Sequence, residues 1–216
     1  MPEEPDVAYT LDASDAIIAV NDAWVAFAAA NDGVPLLAPA ILGRSLWDFI
    51  ADRTTILLYR RIFERVREGI SPVRFTFRCD APALRRLLEM SIVMQPEGAL
   101  QVVVRSVRVE DRPAVLLLDP AEKRSDAVLR MCGWCKRIPD PDGRWMEIEA
   151  ALPLLALFDQ TALPAISHGI CEECHRVMME AADDPVSAAS GRIGVGALPV
   201  GIVNASAVTN AVEIPP

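Results

Sequence analysis

The sequence predicts an α+β fold: five strands in an antiparallel sheet with helices on one face, followed by a small four-cysteine module. Two short apolar runs precede a helical stretch, and three strand-like runs follow it, two of them alternating. Strands grouped before and after helices favour antiparallel pairing over a βαβ repeat. Four of the five cysteines fall between positions 132 and 174, as two CxxC pairs. The chain has 216 residues, enough for one ordinary domain or two small ones, and its 52% apolar content excludes disorder throughout.

The elements follow in order. Val7 to Leu11 and Ala16 to Val20 read as two strands around a DASD turn. Asn21 and Asp22 are helix caps, and Trp24, Phe27 and Ala28 follow at helical spacing until Asp32-Gly33. Pro35 and Pro39 make the next stretch a loop, and Ser45 to Ile50 forms one helical turn. Asp52 caps a longer helix through Glu68, with an apolar stripe at Ile56, Leu57, Tyr59, Ile62, Phe63 and Val66 and a stop at Gly69. Val73, Phe75 and Phe77 alternate with polar residues, as do Leu88, Met90, Ile92 and Met94 with their neighbours, and Gln101 to Val109 is β-branched. Asp80-Ala-Pro82 and Pro96-Glu-Gly98 supply the turns between them. The stretch KRSDAVLRM before the first cysteine pair reads as a charged helix. After Glu180 the chain turns to Ala, Gly, Ser, Val and Pro with few charges, and residues 181–216 are expected to be disordered.

Residues 7–110 resemble a PAS domain, more in order than in letters. YTLDASDAIIAVNDAWVAFA is similar to the opening strands and first helix of that family. ILGRSLWDFI is similar to its G-x-[ST]-x-x-[DE]-x-[IVL] segment through Gly43, Ser45, Asp48 and Ile50, with the acidic residue one place early. FRCDAPALRRLLEMSI is similar to the paired strands that follow. The resemblance implies a five-stranded sheet and a pocket between sheet and helices that takes a small molecule, or a surface that makes a homodimer. Trp24, Phe27, Trp47, Phe49, Tyr59 and Phe63 are read as core of this domain. The NCRFLQ-like segment of photoactive flavin PAS domains is missing, as is the helix histidine of haem-binding ones: the two histidines are His168 and His175.

Cys132-Gly-Trp-Cys135 and Cys171-Glu-Glu-Cys174 stand 35 residues apart. Zinc takes four tetrahedral ligands and favours thiolate, and a CxxC turn presents two sulfurs on one side of a tight knuckle. Two knuckles close the tetrahedron, so Cys132, Cys135, Cys171 and Cys174 are read as ligands of a structural Zn²⁺ in a zinc-ribbon or treble-clef-like module. MCGWCKRI and SHGICEEC also resemble a small module at the end of bacterial signalling proteins. Four thiolates and Zn²⁺ sum to −2, which Arg130, Lys136, Arg137 and Arg176 are placed to offset, while Trp134, Trp145 and Ile170 are expected to form a small core beside the metal. Other readings stay open. CGWC is a possible thioredoxin-like redox pair, which wants a strand before it. Cys171 to His175 spells the CxxCH of c-type haem, which leaves Cys132 and Cys135 unexplained. His168, expected in a loop, or His175, expected on a helix surface, is a possible replacement ligand. Cys79 reads as a small buried hydrophobe. Arg74, Arg78, Arg85 and Arg86 form either an anion site or, as we favour, a solvated strand face paired with Asp80 and Glu89.

Composition bounds the function. The net charge is −9, divided −3 over residues 1–112 and −6 over 113–216, which argues against a nucleic-acid binder or an anionic-membrane binder. The N-terminus MPEEPD has neither a basic nor an apolar export region, and the most apolar stretch, 186–203, is broken by Arg192, four glycines and Pro199, so a cytoplasmic protein is expected. Nucleophile-elbow, P-loop, zinc-protease and kinase motifs are missing, and no catalytic residue is assigned. The expected organisation is a PAS-like domain over 1–112, a linker over 113–128, the zinc module over 129–180 and the tail. The expected function is a signalling protein in which a PAS-like sensor or dimerisation domain is coupled to a zinc module that binds a partner protein. The alternative is a redox sensor whose thiolates release zinc on oxidation, and Glu172 and Glu173 are the acid or base candidates were the zinc site open and enzymatic.

Overall fold

The computed structural model describes residues 5–30, 36–37, 39–157 and 161–183. Strands β1 (Val7–Leu11) and β2 (Ile17–Val20) form an antiparallel hairpin. The Asp12 carboxylate closes its turn by accepting from the backbone N–H of Ser14 at 2.8 Å and Ala16 at 2.9 Å. Helix α1 (Asp22–Ala30) follows. Its cap Asn21 accepts from the backbone N–H of Trp24 at 2.9 Å and of Ala8 at 3.0 Å, which fixes the helix to β1. The expected stop at Asp32-Gly33 and the bend at Pro35 lie outside the described residues. A 3₁₀ turn, Leu46–Phe49, starts at Ser45, and α2 (Arg53–Arg67) starts at Asp52, whose carboxylate accepts from Thr55 N–H at 2.7 Å.

Strands β3 (Val73–Arg78), β4 (Leu84–Met94) and β5 (Leu100–Asp111) complete a five-stranded antiparallel sheet in the order β2-β1-β5-β4-β3. The register pairs Phe75 with Met90 and Met90 with Val104, so the alternation noted in the sequence sends these residues to one buried face. Helix α2 buries Thr55, Leu58, Tyr59, Ile62, Phe63 and Val66. The expected stripe is thereby corrected: Leu57 is 69% exposed and Leu58 is 4% exposed. Ile56-Leu57-Leu58 are all apolar, and the period set by Tyr59, Ile62, Phe63 and Val66 selects Leu58.

Beyond β5 the chain makes a 3₁₀ turn at Leu116–Leu118, then β6 (Arg124–Cys132), β7 (Ile138–Pro139), β8 (Trp145–Met146), α3 (Ile148–Leu154), β9 (Leu163–Gly169) and α4 (Glu172–Asp183). Strands β6 and β9 pair in parallel, and β7 and β8 pair antiparallel. KRSDAVLRM is therefore a strand and not the helix expected. Val128 and Arg130 point out while Leu129 and Met131 turn inward, and the partner that completes the ladder arrives only after the knuckle, hairpin and α3. Strand β6 begins inside the stretch expected as a linker, and Val115 and Leu117 pack with Met131, Ile138, Ile148 and Leu152 in a buried cluster. A cavity of about 130 Å³ lies beside it, lined by Leu116, Leu117, Leu152, Leu157 and Leu163 among others. Helix α4 extends to Asp183, past the expected start of the tail, and residues 184–216 lie outside those described.

The main core is shared. Cys132, Trp134, Cys135, Cys171 and Cys174 belong to the same buried cluster as Tyr59, Phe63, Phe77 and Met90. Trp134 is 1% exposed, with its ring centroid 6.3 Å from that of Tyr59, and α4 packs on α2 and β3. The cysteine knuckles thus sit against the sheet and α2, and not on a separate small core of Trp134, Trp145 and Ile170. Trp145 and Ile170 are half-buried at the edge of the same cluster. Trp24 is also in this core, Trp47 and Phe49 pack against it, and Phe27 is half-buried.

Candidate metal centre

The first knuckle grows from the end of β6. Cys132 N–H donates to Arg137 C=O at 2.8 Å, and Lys136 N–H donates to Cys132 C=O at 3.0 Å. Lys136 holds a left-handed φ of 59° that turns the chain back, and its ammonium donates to Gly133 C=O at 2.8 Å. The second pair straddles the start of α4, whose N-terminal dipole favours thiolate at Cys171 and Cys174. Gly133 N–H donates to Gly169 C=O at 2.8 Å and ties the two segments together.

The four Sγ atoms lie within 4.8 Å of one another and all four residues are buried. Cys135 Sγ and Cys171 Sγ are 3.7 Å apart. A tetrahedron with zinc–sulfur bonds of about 2.3 Å has edges of about 3.8 Å, so this pair already spans one edge. Backbone N–H groups point at the sulfurs: Cys171 N–H at Cys132 Sγ and Cys174 N–H at Cys171 Sγ, both at 3.4 Å. Such donors stabilise thiolate in a knuckle.

Four thiols this close cannot ionise independently. Hydrogen bonds from Cys135, Cys171 and Cys174 pull the Cys132 thiol far below its ordinary range. The contact with Cys132 in turn pushes Cys135 and Cys174 far above theirs. Cys171 is lowered as well, pushed up by Cys132 but pulled down by Cys135 and Cys174. Burial opposes charge on all four thiols, so four thiolates here call for a bound cation. The donor set fits Zn²⁺ or another thiophilic divalent ion.

The surrounding charges differ in part from those expected. Burial lowers Lys136, against the raising effect of Cys79, Asp80 and Cys132, while Arg137 is raised against its burial by the hydrogen bond to Glu147 and by its neighbours Cys135 and Cys171. Arg176 is spent on Glu173 at 2.7 Å and Glu180 at 2.6 Å along the surface of α4. Arg130 lies over the Trp145 ring at 5.2 Å. A further cationic contact comes from Arg78, which is expected from the sequence on a solvated strand face. Arg78 is 4% exposed, and its Nη1 donates to Cys135 C=O at 3.0 Å. It does pair with Asp80, but that carboxylate is buried, and Glu89 pairs with Arg105 at 2.7 Å instead. Arg86 donates to the C=O of Cys79, which is half-buried against the core. His175 is exposed on α4, while His168 lies in β9, half-buried, and not in a loop. Neither is among the clustered ligand atoms.

A strand does precede CGWC, so the expected contrast with a redox pair no longer rests on a preceding helix. What separates the site from an isolated redox pair is the presence of Cys171 and Cys174 within 4.8 Å.

No family model matches the chain, and no curated protein matches it. Among solved structures, a sensory box sensor histidine kinase from Vibrio cholerae is similar at 12% identity and a TM-score of 0.35, over 50% of this chain and 86% of that one. A likeness of that size carries no argument about activity, and the fold stands on the strand order and pairing described above.

Proposed function

We propose that this chain is a cytoplasmic signalling protein in which a PAS-like sensor or dimerisation domain, over residues 1–112, is coupled to a four-cysteine structural zinc module over residues 129–180. The observation that carries the reading is the buried cluster of Cys132, Cys135, Cys171 and Cys174, seated in the same core as the sheet. A site with four protein thiolates leaves no position for substrate, which favours structure over catalysis. Zinc bound there closes the knuckles, and the module presents its outer surface to a protein partner. No helix among the described residues is long and apolar enough to cross a membrane. The second reading, a redox sensor, is supported by the 3.7 Å approach of Cys135 and Cys171, which oxidation converts to a disulfide with loss of metal. Metal content of the untagged protein before and after mild peroxide tests both. One zinc per chain, retained, supports the structural site. Zinc released and regained on reduction supports the sensor, and protein purified under reducing conditions without metal contradicts both.

A further inference from the structure

Arg78 is the last residue of β3, and its side chain is 5% exposed. Its backbone N–H donates to Trp134 C=O at 3.1 Å and its Nη1 to Cys135 C=O at 3.0 Å. Both carbonyls belong to the first knuckle. The same Nη1 reaches Glu147 Oε2 at 2.6 Å, while Nε and Nη2 engage the two oxygens of Asp80. Asp80, with a fully buried side chain, also accepts from Arg112 Nη1 at 3.1 Å, just past the end of β5. Glu147 Oε1 accepts from Arg137 Nε at 3.0 Å, and Arg137 C=O accepts from Cys132 N–H at 2.8 Å. This path of hydrogen bonds runs from one end of the sheet to the main chain of both cysteines in the first pair.

Stability alone is a weak reason to bury such a network, since apolar replacements of buried ion pairs are often neutral or better. A reason lies beside it: four thiolates around a divalent ion leave a charge of −2 in a buried place, and the Arg78 guanidinium is a buried positive group held by a hydrogen bond to the C=O of a ligand, Cys135. We propose that Arg78 is a positioning residue of the four-cysteine site, which holds the Cys135 knuckle in its metal-binding geometry and makes metal affinity depend on how the β3–β5 end of the sheet is seated. The inference rests on the reading of the cysteines as a metal site. Coupling is reciprocal, so a change that reseats this end of the sheet alters metal affinity, and metal loading holds the sheet end in place.

Cobalt(II) titration of the full chain, in competition with a chromophoric chelator, tests this with the sulfur-to-cobalt charge-transfer band as a second readout. Arg78→Met weakens binding about 10- to 100-fold, as losses around a ligand shell do, and shifts the band. Arg78→Lys restores the charge without the fork and recovers part of the affinity. Arg105→Met, on the exposed face, binds as the parent does. The inference is overturned if folded Arg78→Met, judged by far-UV circular dichroism, matches the parent in affinity and band. Should the Met variant not fold, Arg78→Lys decides: parental affinity overturns the inference, and weaker binding with a shifted band supports it. A parent chain that binds no cobalt overturns the metal reading and the inference with it, whereas equal affinities overturn the inference alone.

Discussion

Trp134 lies between the two cysteines of the first pair, yet its ring is buried against α2. Trp134→Ala therefore reports whether knuckle and sheet are one cooperative unit. Truncating a buried tryptophan costs about 3–5 kcal/mol, from lost apolar burial and the cavity left behind. A domain of this kind has about 5–15 kcal/mol in total. With a urea m-value of about 2 kcal/mol/M, the unfolding midpoint falls by about 1.5–2.5 M. Far-UV circular dichroism follows the sheet, and the absorbance of the metal-loaded thiolates follows the knuckles. The two curves should coincide in the parent and move together in the variant. Separate transitions, or a sheet midpoint unchanged within about 0.3 M, would refute the shared core. Trp134→Phe sharpens the point. The buried Nε1–H has no acceptor among the described residues. The Phe variant removes that orphan and keeps most of the ring, so it costs about 1 kcal/mol or less, because relief of an unsatisfied donor offsets lost volume.

Other outcomes follow from named contacts. Leu57→Ser leaves thermal stability within about 0.5 kcal/mol, whereas Leu58→Ala one position on costs about 2–4 kcal/mol, a contrast that calorimetry reads directly. Asp52→Ala removes the cap of α2 and costs about 1 kcal/mol in the same assay. Burial, reinforced by the Lys136 charge, holds the His168 imidazole down to about 4, below the ordinary value of about 6.5. A ring neutral in the fold stabilises fully above about pH 6.5, and that contribution is lost as pH falls from there towards 4. In a His175→Asn variant the one remaining imidazole resonance should titrate near 4, and titration at 6.5 would contradict the burial of His168.

The parts legible in the sequence were those with local signals. The caps Asn21 and Asp52 form the hydrogen bonds that their positions predict, and the alternations at Val73, Phe75 and Phe77 and at Met90 and Ile92 fall on the buried face, whereas Met94 at the end of the second run is exposed. The CxxC spacing brought together the four cysteines. Three features needed contacts between distant positions. β6 has too little local pattern to be told from a helix until β9 pairs with it. In Ile56-Leu57-Leu58 hydrophobicity does not say which residue turns inward. Arg78 looks like any charged strand residue until Asp80, Glu147 and the Cys135 carbonyl converge on it from three segments. The common core of Tyr59 and Trp134 was hidden for the same reason.

Four sulfurs around one metal define the centre, and X-ray absorption at the metal edge of zinc-loaded protein reads that shell directly. Four sulfur neighbours at about 2.3 Å are predicted, with no nitrogen or oxygen in the first shell. Two or three sulfurs with a light atom at about 2.0–2.1 Å would place His168, His175 or water on the metal, and would contradict a closed structural site.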